Sequence, residues 1–184
     1  LVSIVIPTYN HAEFLRDCLQ SVVAQTVTEW EAIIVNNFSE DDTESVVASF
    51  DDPRITIVNF RNDGIIAASR NVGIRMARAE WIALLDSDDS WLPDKLARCL
   101  AATRDNVDVV GHDLWLVKNG ETVRRHQSGP AARATYRALL FKGTCLAPSA
   151  SLIRACWLMK VGGFSEDREF RTAEDYELWL KLAR

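Results

Sequence analysis

The chain has 184 residues, a formal net charge of −5, 48% hydrophobic residues and 26% charged residues. That length suits one domain with its own core, and the mildly acidic balance, without a basic stripe interleaved with aromatics, excludes nucleic acid as an expected partner. No window reaches the roughly 18 consecutive apolar residues of a membrane span, and no signal-peptide pattern precedes the first predicted strand.

The four cysteines are scattered, at positions 18, 99, 145 and 156, without CxxC spacing. This usage is typical of reduced, mostly buried thiols in an intracellular protein. We therefore expect a cytoplasmic protein, at most peripheral at the cytoplasmic face of the membrane.

The first half of the chain alternates short apolar runs with amphipathic segments. We predict strands over 2–6, 30–35, 55–58 and 81–85, and helices over 13–25, 43–50 and 65–79. The first strand is expected to stop at Pro7, because proline lacks the N–H that a ladder needs. Strands that alternate with helices in this way indicate a parallel sheet covered by helices on both faces.

The second half has a different pattern. We predict helices over 94–103, 135–141 and 154–161, strands over 107–110, 114–117, 122–124 and 150–153, and a last helix that begins near Thr172. Asn119 and Gly120 between two strands are a hairpin signal, so this half is expected to be partly antiparallel. We find no repeat or linker, and we expect a single domain over residues 1–184.

Three aspartates follow the fourth predicted strand. Asp86, Asp88 and Asp89 place like charges within four positions, which is costly unless a cation or a hydrogen-bond network compensates them. Carboxylate oxygens suit Mg²⁺ or Mn²⁺, which complete their octahedron with water and substrate phosphates. The alternative is that Asp86 or Asp89 caps the helix that Pro93 opens.

The carboxyl ends of the strands define an expected crevice. Ligands bind there in parallel sheets, so residues 7–10, 36–39 and 86–89 should lie along one edge. The chain has neither a GxxxxGK[ST] loop nor a GxGxxG turn after its first strand, so a cation must neutralise any bound phosphates. Tyr9 could stack on a nucleobase and Asn36 or Asn37 could pair with its edge, although surface aromatics and turn-forming asparagines are common.

Six segments in order resemble the motif set of family 2 glycosyltransferases. They are VIPTYN at 5–10, VNNFSEDDT at 35–43, SRNVG at 69–73, LDSDD at 85–89 with WLP at 91–93, GGF at 162–164 and EDYELW at 174–179. The resemblance implies a GT-A fold, that is, a Rossmann-like doubly wound, mostly parallel sheet with a smaller antiparallel part. It also implies a nucleotide-diphosphate sugar donor, Mg²⁺ or Mn²⁺ at the DxD motif, and transfer with inversion.

The resemblance further implies roles for single residues. The expected nucleotide-sugar site comprises Pro7, Thr8, Tyr9, Asn10, Asn36, Asn37, Ser39, Arg70, Asp86 and Ser87. Asp88 is the expected metal ligand, with Asp86 beside it. Asp175 matches the catalytic base and Glu174 its neighbour, although acidic residues also favour first helical turns. Arg70 could contact the donor or bridge two loops.

Two features depart from the family pattern. Asn37 stands where an aspartate is common and Phe38 where a small residue is usual. The chain also stops soon after Glu174. We therefore divide it into a donor half, 1–90, and an acceptor half, 91–184, truncated at its C-terminus, and expect membrane contact only through missing segments.

The function expected from these features is metal-dependent inverting transfer of a sugar, from a UDP-sugar, to a hydroxyl of a saccharide or lipid-linked acceptor. Cell-surface polysaccharide or glycoconjugate synthesis is the expected setting. The alternative is a non-catalytic domain that binds nucleotide sugars or serves as a scaffold. A nucleotidyltransferase is disfavoured, because the Gly-rich signature of that class is absent after the first strand.

Overall fold

Strands and helices alternate along most of the chain in the computed structural model, which describes residues 1–103, 106–118 and 120–184. The strands are β1 Val2–Thr8, β2 Trp30–Asn36, β3 Ile55–Asn59, β4 Trp81–Leu84, β5 Val109–Gly111, β6 Leu114–Lys118, β7 Glu121–His126 and β8 Ser151–Arg154. The helices are α1 Ala12–Val23, α2 Thr43–Ala48, α3 Ile66–Met76, α4 Lys95–Ala102, α5 Tyr136–Lys142, α6 Ala155–Lys160 and α7 Glu174–Leu182.

The main sheet has the strand order β3-β2-β1-β4-β8-β5. The first four strands in this order are mutually parallel, whereas β8 runs antiparallel to both β4 and β5. The predicted mostly parallel sheet with an antiparallel part in the second half is therefore confirmed. The carboxyl ends of β1, β2, β3 and β4 share one edge of the sheet, which is where the order of strands predicts a ligand.

The first strand does not stop at Pro7, as the sequence predicted, but continues through it to Thr8. Val5 accepts a hydrogen bond from the Leu85 N–H on the β4 side, and Pro7, two residues on, faces the same side. The pairing of β1 with β4 ends at Val5, so the missing N–H of Pro7 interrupts no ladder.

Two apolar clusters cover the two faces of the sheet. Val2, Ile4 and Ile6 pack with residues of α1 and α4 on one face, and Val5 packs with residues of α3, α6 and α7 on the other. Helix α3 lies so close to β1 that a Cβ on Gly73 would sit 2.3 Å from Cγ1 of Val5. This contact requires glycine, and it fixes α3 over the carboxyl half of β1.

Helix α3 is shorter than predicted and buries polar as well as apolar residues. It ends at Met76 rather than near residue 79, and Met76 is exposed. The buried side contains three consecutive polar residues, Ser69, Arg70 and Asn71. The spacing of apolar residues did not predict the end of this helix or its buried polar residues. The reason is that the inner face of the helix contacts polar loops as well as the sheet.

The hairpin of β6 and β7 forms a separate two-stranded antiparallel sheet. Asn119, on which part of the hairpin prediction rested, lies outside the described residues, while Gly120 has the positive φ of a turn glycine. In the structure all four cysteines are free, three of them buried and Cys156 exposed. Among the described residues, no helix is both long and apolar enough to span a bilayer.

Lys95, the first residue of α4, is a buried lysine. Its side chain is covered by the Trp91 ring, with Nζ 3.6 Å from the ring centroid, and Nζ donates a 3.4 Å hydrogen bond to the carbonyl of Ser151. Burial lowers the pKa of Lys95 to about 8, and the nearby Cys99 opposes this shift. The protonated form is therefore costly in the folded protein.

Lys95→Met should remove a pH dependence of stability. From pH 8 to 10.5 the unfolded chain keeps the Lys95 proton while the folded protein has lost it, so the free energy of unfolding of the wild type should rise relative to the variant, by up to about 3 kcal/mol. Urea unfolding at pH 7.5 and pH 10 measures this difference. Lys160→Met is the matched control, because Lys160 stacks on Trp157 at 4.0 Å but is exposed. An offset between wild type and Lys95→Met that is the same at both pH values would contradict the assignment.

Candidate functional site

A cavity of about 430 Å³ lies at the carboxyl edge of the parallel strands. Its lining consists of Pro7, Thr8, Tyr9, His11, Asn37, Asn62, Gly64, Ile66, Asp86, Ser87 and Asp88. The loops after β1, β2 and β4 therefore meet around one space, although up to 80 positions separate them in the chain. Seven of these residues belong to the site expected from the sequence.

His11, Asn62, Gly64 and Ile66 were not expected at the site. Three of them follow β3, whose carboxyl end lies at the same edge, so the rule that identified the other loops could also have identified this one. His11 precedes α1, and its Nδ1 lies 3.0 Å from the Ser87 hydroxyl. No residue pattern in the sequence pairs His11 with the aspartate loop.

The aspartate loop, residues 86–89, follows β4 as a tight turn. The N–H of Asp89 donates to the carbonyl of Asp86 at 3.0 Å, and the N–H of Asp86 donates to the Ser149 hydroxyl at 3.0 Å. Asp86 is half-buried, Ser87 is buried and Asp88 is exposed at the cavity. Helix α4 begins after Asp94, whose side chain makes no capping hydrogen bond. The alternative that Asp86 or Asp89 caps this helix is therefore wrong.

Negative charge accumulates in this loop. Desolvation raises the pKa of the Asp89 carboxyl, the Ser149 hydroxyl opposes the shift, and the carboxylates of Asp86 and Asp88 add to it. Burial, and then the same three carboxylates, also raise the pKa of the Cys18 thiol beneath the loop. The field at this edge therefore attracts cations.

Arg70 bridges the aspartate loop and the start of α7. Its side chain is 4% exposed, with Nη2 2.7 Å from Oδ1 of Asp86 and Nη1 2.8 Å from Oε1 of Glu174. Burial lowers the pKa of the guanidinium, but the two carboxylates more than compensate and hold it above its ordinary value. Of the two alternatives for Arg70, the structure favours the bridge over a donor contact.

Glu174 and Asp175 differ in their surroundings, although they are adjacent. Glu174 is buried, and its Oε1 accepts a hydrogen bond from Arg70 at 2.8 Å. Asp175 is half-buried, and one carboxylate oxygen accepts the N–H of Tyr176 at 2.7 Å. Arg70 bridges Asp86 and Glu174, so the start of α7 lies near the aspartate loop, but Asp175 itself is not among the residues that line the cavity.

Asn36, Ser39 and Asn10 form a network that shapes a loop. Asn36 is fully buried, accepts from the Ser39 N–H and hydroxyl, and donates to Asn59 at 2.8 Å. Ser39 accepts from the N–H of Asn10, whose side chain accepts from the N–H of Glu40. None of these three side chains is among the residues that line the cavity. They hold the loops that carry Tyr9 and Asn37.

An aromatic and an amide group line the cavity beside the aspartates, Tyr9 after β1 and Asn37 after β2, with Asn37 separated from the aspartate loop by β1. Tyr9 is half-exposed, and a second hollow of about 210 Å³ shares Tyr9 and Asn37 and adds Phe38 and Arg61. The Asn37 Oδ1 accepts the backbone N–H of Asn62 at 2.9 Å. A backbone amide nitrogen can only donate, so this bond fixes the side-chain orientation, and the Nδ2 donor of Asn37 is the group left for a ligand.

Arg171 brings a positive charge to the rim of the cavity. Its Nη2 lies 3.0 Å from the place that a Cβ on Gly64 would occupy, and Gly64 has a φ of +78°. Glycine is therefore favoured there both by the backbone and by the approach of the guanidinium. No pattern in the sequence indicated Arg171.

The donor groups fit a divalent cation that is shared with a substrate. Asp88 offers a carboxylate at the cavity, and Asp86 has one oxygen outside its bond to Arg70. In the part of the chain that the structure describes, no cluster of three or more His, Cys, Asp and Glu side chains could hold a metal. Mg²⁺ and Mn²⁺ typically use one or two carboxylates together with substrate phosphates, which is the donor set found here.

Known proteins share this fold. A solved structure of *Staphylococcus aureus* TarS in complex with UDP superposes with a TM-score of 0.80 and 23% identity, over 99% of this chain and 54% of that one. The mannosyltransferase PcManGT of *Pyrobaculum calidifontis*, solved with GDP-Man and Mn²⁺, has a TM-score of 0.72 and 22% identity, over 99% and 51%. The GT-A fold expected from the sequence is confirmed.

Sequence relatives cover the whole chain. The *Escherichia coli* protein WfgD, named a UDP-Glc:alpha-D-GlcNAc-diphosphoundecaprenol beta-1,3-glucosyltransferase, is 28% identical over 100% of this chain and 70% of its own length. The chain spans 59 to 62% of the length of other curated relatives.

The family resemblance seen in the motifs is confirmed by a match to the family model. The model described as glycosyl transferase family 2 matches residues 3–162, which contain β1 to β4, the cavity and the aspartate loop. On this evidence, the chain belongs to glycosyl transferase family 2.

Proposed function

We propose that the chain transfers a sugar from a nucleotide-diphosphate donor, a UDP-sugar, to a hydroxyl group of an acceptor, with inversion at the anomeric carbon. The observation that carries this proposal is the arrangement of the cavity. Asn37 follows β2 and the aspartates Asp86 and Asp88 follow β4, on the two sides of β1 and Tyr9, and Arg70 links Asp86 to Glu174, the neighbour of Asp175. Tyr9 and Asn37 suit a nucleobase, and Asp86 and Asp88 suit a metal-bound diphosphate. Asp175 is the group proposed to accept the proton of the acceptor.

The donor is proposed to lie along the cavity. Tyr9 stacks on the base, Asn37 Nδ2 donates to its edge, and Pro7 and Thr8 line the ribose. Asp88, with Asp86 beside it, would hold Mg²⁺ or Mn²⁺, and Arg171 adds a positive charge from the rim. When bound, the cation stabilises the charge of the departing diphosphate. Complexes of TarS with UDP and of PcManGT with Mn²⁺ support this proposal.

Asp175 is proposed as the catalytic base. The acceptor hydroxyl oxygen attacks the anomeric carbon from the side opposite the diphosphate, the new C–O bond forms as the bond to the diphosphate breaks, and the hydroxyl proton moves to the Asp175 carboxylate. Attack from the opposite side inverts the configuration. Glu174 is a positioning residue in this scheme, because its carboxylate is engaged by Arg70.

The acceptor is proposed to be a saccharide or a lipid-linked saccharide, in cell-surface polysaccharide or glycoconjugate synthesis at the cytoplasmic face of the membrane. The name of WfgD, a glucosyltransferase that acts on a diphosphoundecaprenol-linked sugar, supports this class. A non-catalytic domain that binds nucleotide sugars, the alternative raised by the sequence, is the second candidate.

Asp88→Ala should weaken metal-dependent binding of UDP. In calorimetric titrations with Mn²⁺, the affinity of the variant should fall by about tenfold or more, towards the value without metal, because a carboxylate ligand of the cation is lost. Asp17→Ala on the exposed side of α1 removes the same group elsewhere and should bind as the wild type does. UDP binding that needs no metal and survives Asp88→Ala would refute the assigned site.

Asp175→Asn should separate donor binding from chemistry. The variant should bind UDP within about twofold of the wild type, because the base does not contact the nucleotide, and release UDP from UDP-sugars about 10²- to 10⁴-fold more slowly. The assay uses a panel of UDP-sugars with water as the acceptor. Glu169→Gln, exposed ahead of α7, is the control. Turnover near the wild-type rate would exclude Asp175 as the base, and wild-type protein that binds UDP but turns over no donor would favour the non-catalytic candidate.

Asn37→Asp should increase the preference for uracil over cytosine. The variant keeps an oxygen for the Asn62 N–H but replaces the outward donor Nδ2 by an acceptor, which suits the N3–H of uracil and not the unprotonated N3 of cytosine. The ratio of UDP to CDP affinity should rise by about tenfold. Asn37→Ala, which removes both groups, should weaken both nucleotides alike. An unchanged ratio in Asn37→Asp would show that this side chain does not face the base.

A further inference from the structure

The hairpin of β6 and β7 leaves the body of the protein with both faces in solvent. Trp115, Leu116, Val117 and Val123 are 54 to 59% exposed, and every residue of β7 is exposed. A two-stranded ribbon is marginally stable in water, and exposed apolar side chains that cluster commonly mark an interaction surface. The hairpin therefore presents apolar surface that a partner can cover.

The base of the hairpin is nevertheless well fixed. The Asp113 carboxylate accepts from the N–H of Ser128 at 2.8 Å and from Nε of Arg125 at 2.8 Å. The Arg125 guanidinium in turn lies 5.9 Å from the centroid of the Trp115 ring. These contacts orient the ribbon relative to the sheet.

The charge around the hairpin opposes that of the rest of the chain. Residues 114–142 contain six basic residues, Lys118, Arg124, Arg125, Arg133, Arg137 and Lys142, and one acidic residue, Glu121, and so carry +5. Because the whole chain carries −5, the remainder carries −10. An anionic partner complements the charge of this segment and is repelled by the rest of the chain.

We propose that this hairpin docks the protein on an anionic phospholipid bilayer. The ribbon enters the headgroup region with both of its faces, Trp115 and Val117 on one and Leu116 on the other, where tryptophan and aliphatic side chains are favoured, while Lys118 and Arg124 contact lipid phosphates. The bilayer repels the acidic remainder of the chain, so the hairpin faces the membrane and the body faces away. This assigns membrane contact to the hairpin.

The position of the hairpin connects it with the cavity. Strands β4 and β5 both pair antiparallel with β8, so they point the same way, and β6 begins three residues after β5 ends. Gly111 at the end of β5 pairs with Ser151, close to Ser149, whose hydroxyl accepts the N–H of Asp86. The hairpin therefore arises at the same edge as the aspartate loop. Delivery of a lipid-linked acceptor there rests on the proposed function, whereas the docking itself does not.

Co-sedimentation with vesicles tests the docking. The chain should pellet with vesicles of phosphatidylcholine and phosphatidylglycerol but much less with phosphatidylcholine alone. Arg124→Ala should lower the partition coefficient about fivefold, which is the effect of one basic residue near an anionic surface, and Trp115→Ser should lower it by a similar factor or more. Arg16→Ala on α1 and Met159→Ser on α6 change exposed residues of the same types elsewhere and should stay within about twofold of the wild type.

Other outcomes would overturn the proposal. They are equal binding to both kinds of vesicle, no binding to either, or self-association in sedimentation equilibrium that Trp115→Ser abolishes, which would assign the hairpin to a second copy of the chain. UDP titration of the same variants separates this proposal from the proposed function. Both hairpin variants should bind UDP as the wild type does, so loss of vesicle binding with intact UDP binding tests the hairpin alone.

Discussion

The buried guanidinium of Arg70 is the interaction on which the site depends. It contacts Asp86 after β4 and Glu174 at the start of α7, two residues 88 positions apart. A buried ion pair contributes little net stability, but loss of one partner leaves an uncompensated charge and costs about 3–5 kcal/mol. The main effect of Arg70 is therefore on the specificity of the fold. Only a fold that brings both carboxylates to α3 compensates the buried positive charge of Arg70. The same constraint fixes the distance between the proposed metal loop and the proposed base.

Ser69 and Asn71, the buried polar residues on either side of Arg70, position other loops in the same way. The Ser69 hydroxyl accepts from Asn62 at 2.8 Å, which secures the loop after β3. Asn71 donates to the carbonyl of Phe164 at 2.9 Å and accepts its N–H at 2.8 Å, which secures the segment before α7. Gly73 allows α3 to contact Val5. Residues of the SRNVG motif, at 69–73 on α3, therefore contact β1, the loop after β3, the loop after β4 and the C-terminal segment. Through these contacts one helix positions all four.

The alternation of apolar runs with amphipathic segments predicted the mostly parallel sheet and the loops that meet at its edge. These features were predictable because the crossover rules for parallel strands depend on local patterns. The direction in which each polar side chain points was not predictable. Asn36 and Asn37 are adjacent asparagines after one strand, yet Asn36 is buried in a loop network and Asn37 faces the cavity. Arg70 and Arg171 show the same difficulty. Whether an arginine bridges two loops or reaches a cavity depends on partners about 100 positions away, which a single sequence does not reveal.

Among the described residues, too few carboxylates lie together at the aspartate loop to enclose a cation without other ligands. The raised pKa of Asp89 and of the Cys18 thiol shows that anionic charge near the loop is already unfavourable. One oxygen of Asp86 is neutralised by Arg70, and Asp88 has no such cation among the described ion pairs. A divalent ion held by these groups alone would have mostly water as its remaining ligands, whereas one that binds together with a diphosphate would exchange part of that water for phosphate oxygens. We therefore expect the proposed metal and the proposed donor to strengthen each other's binding, because the diphosphate offers the cation further anionic ligands.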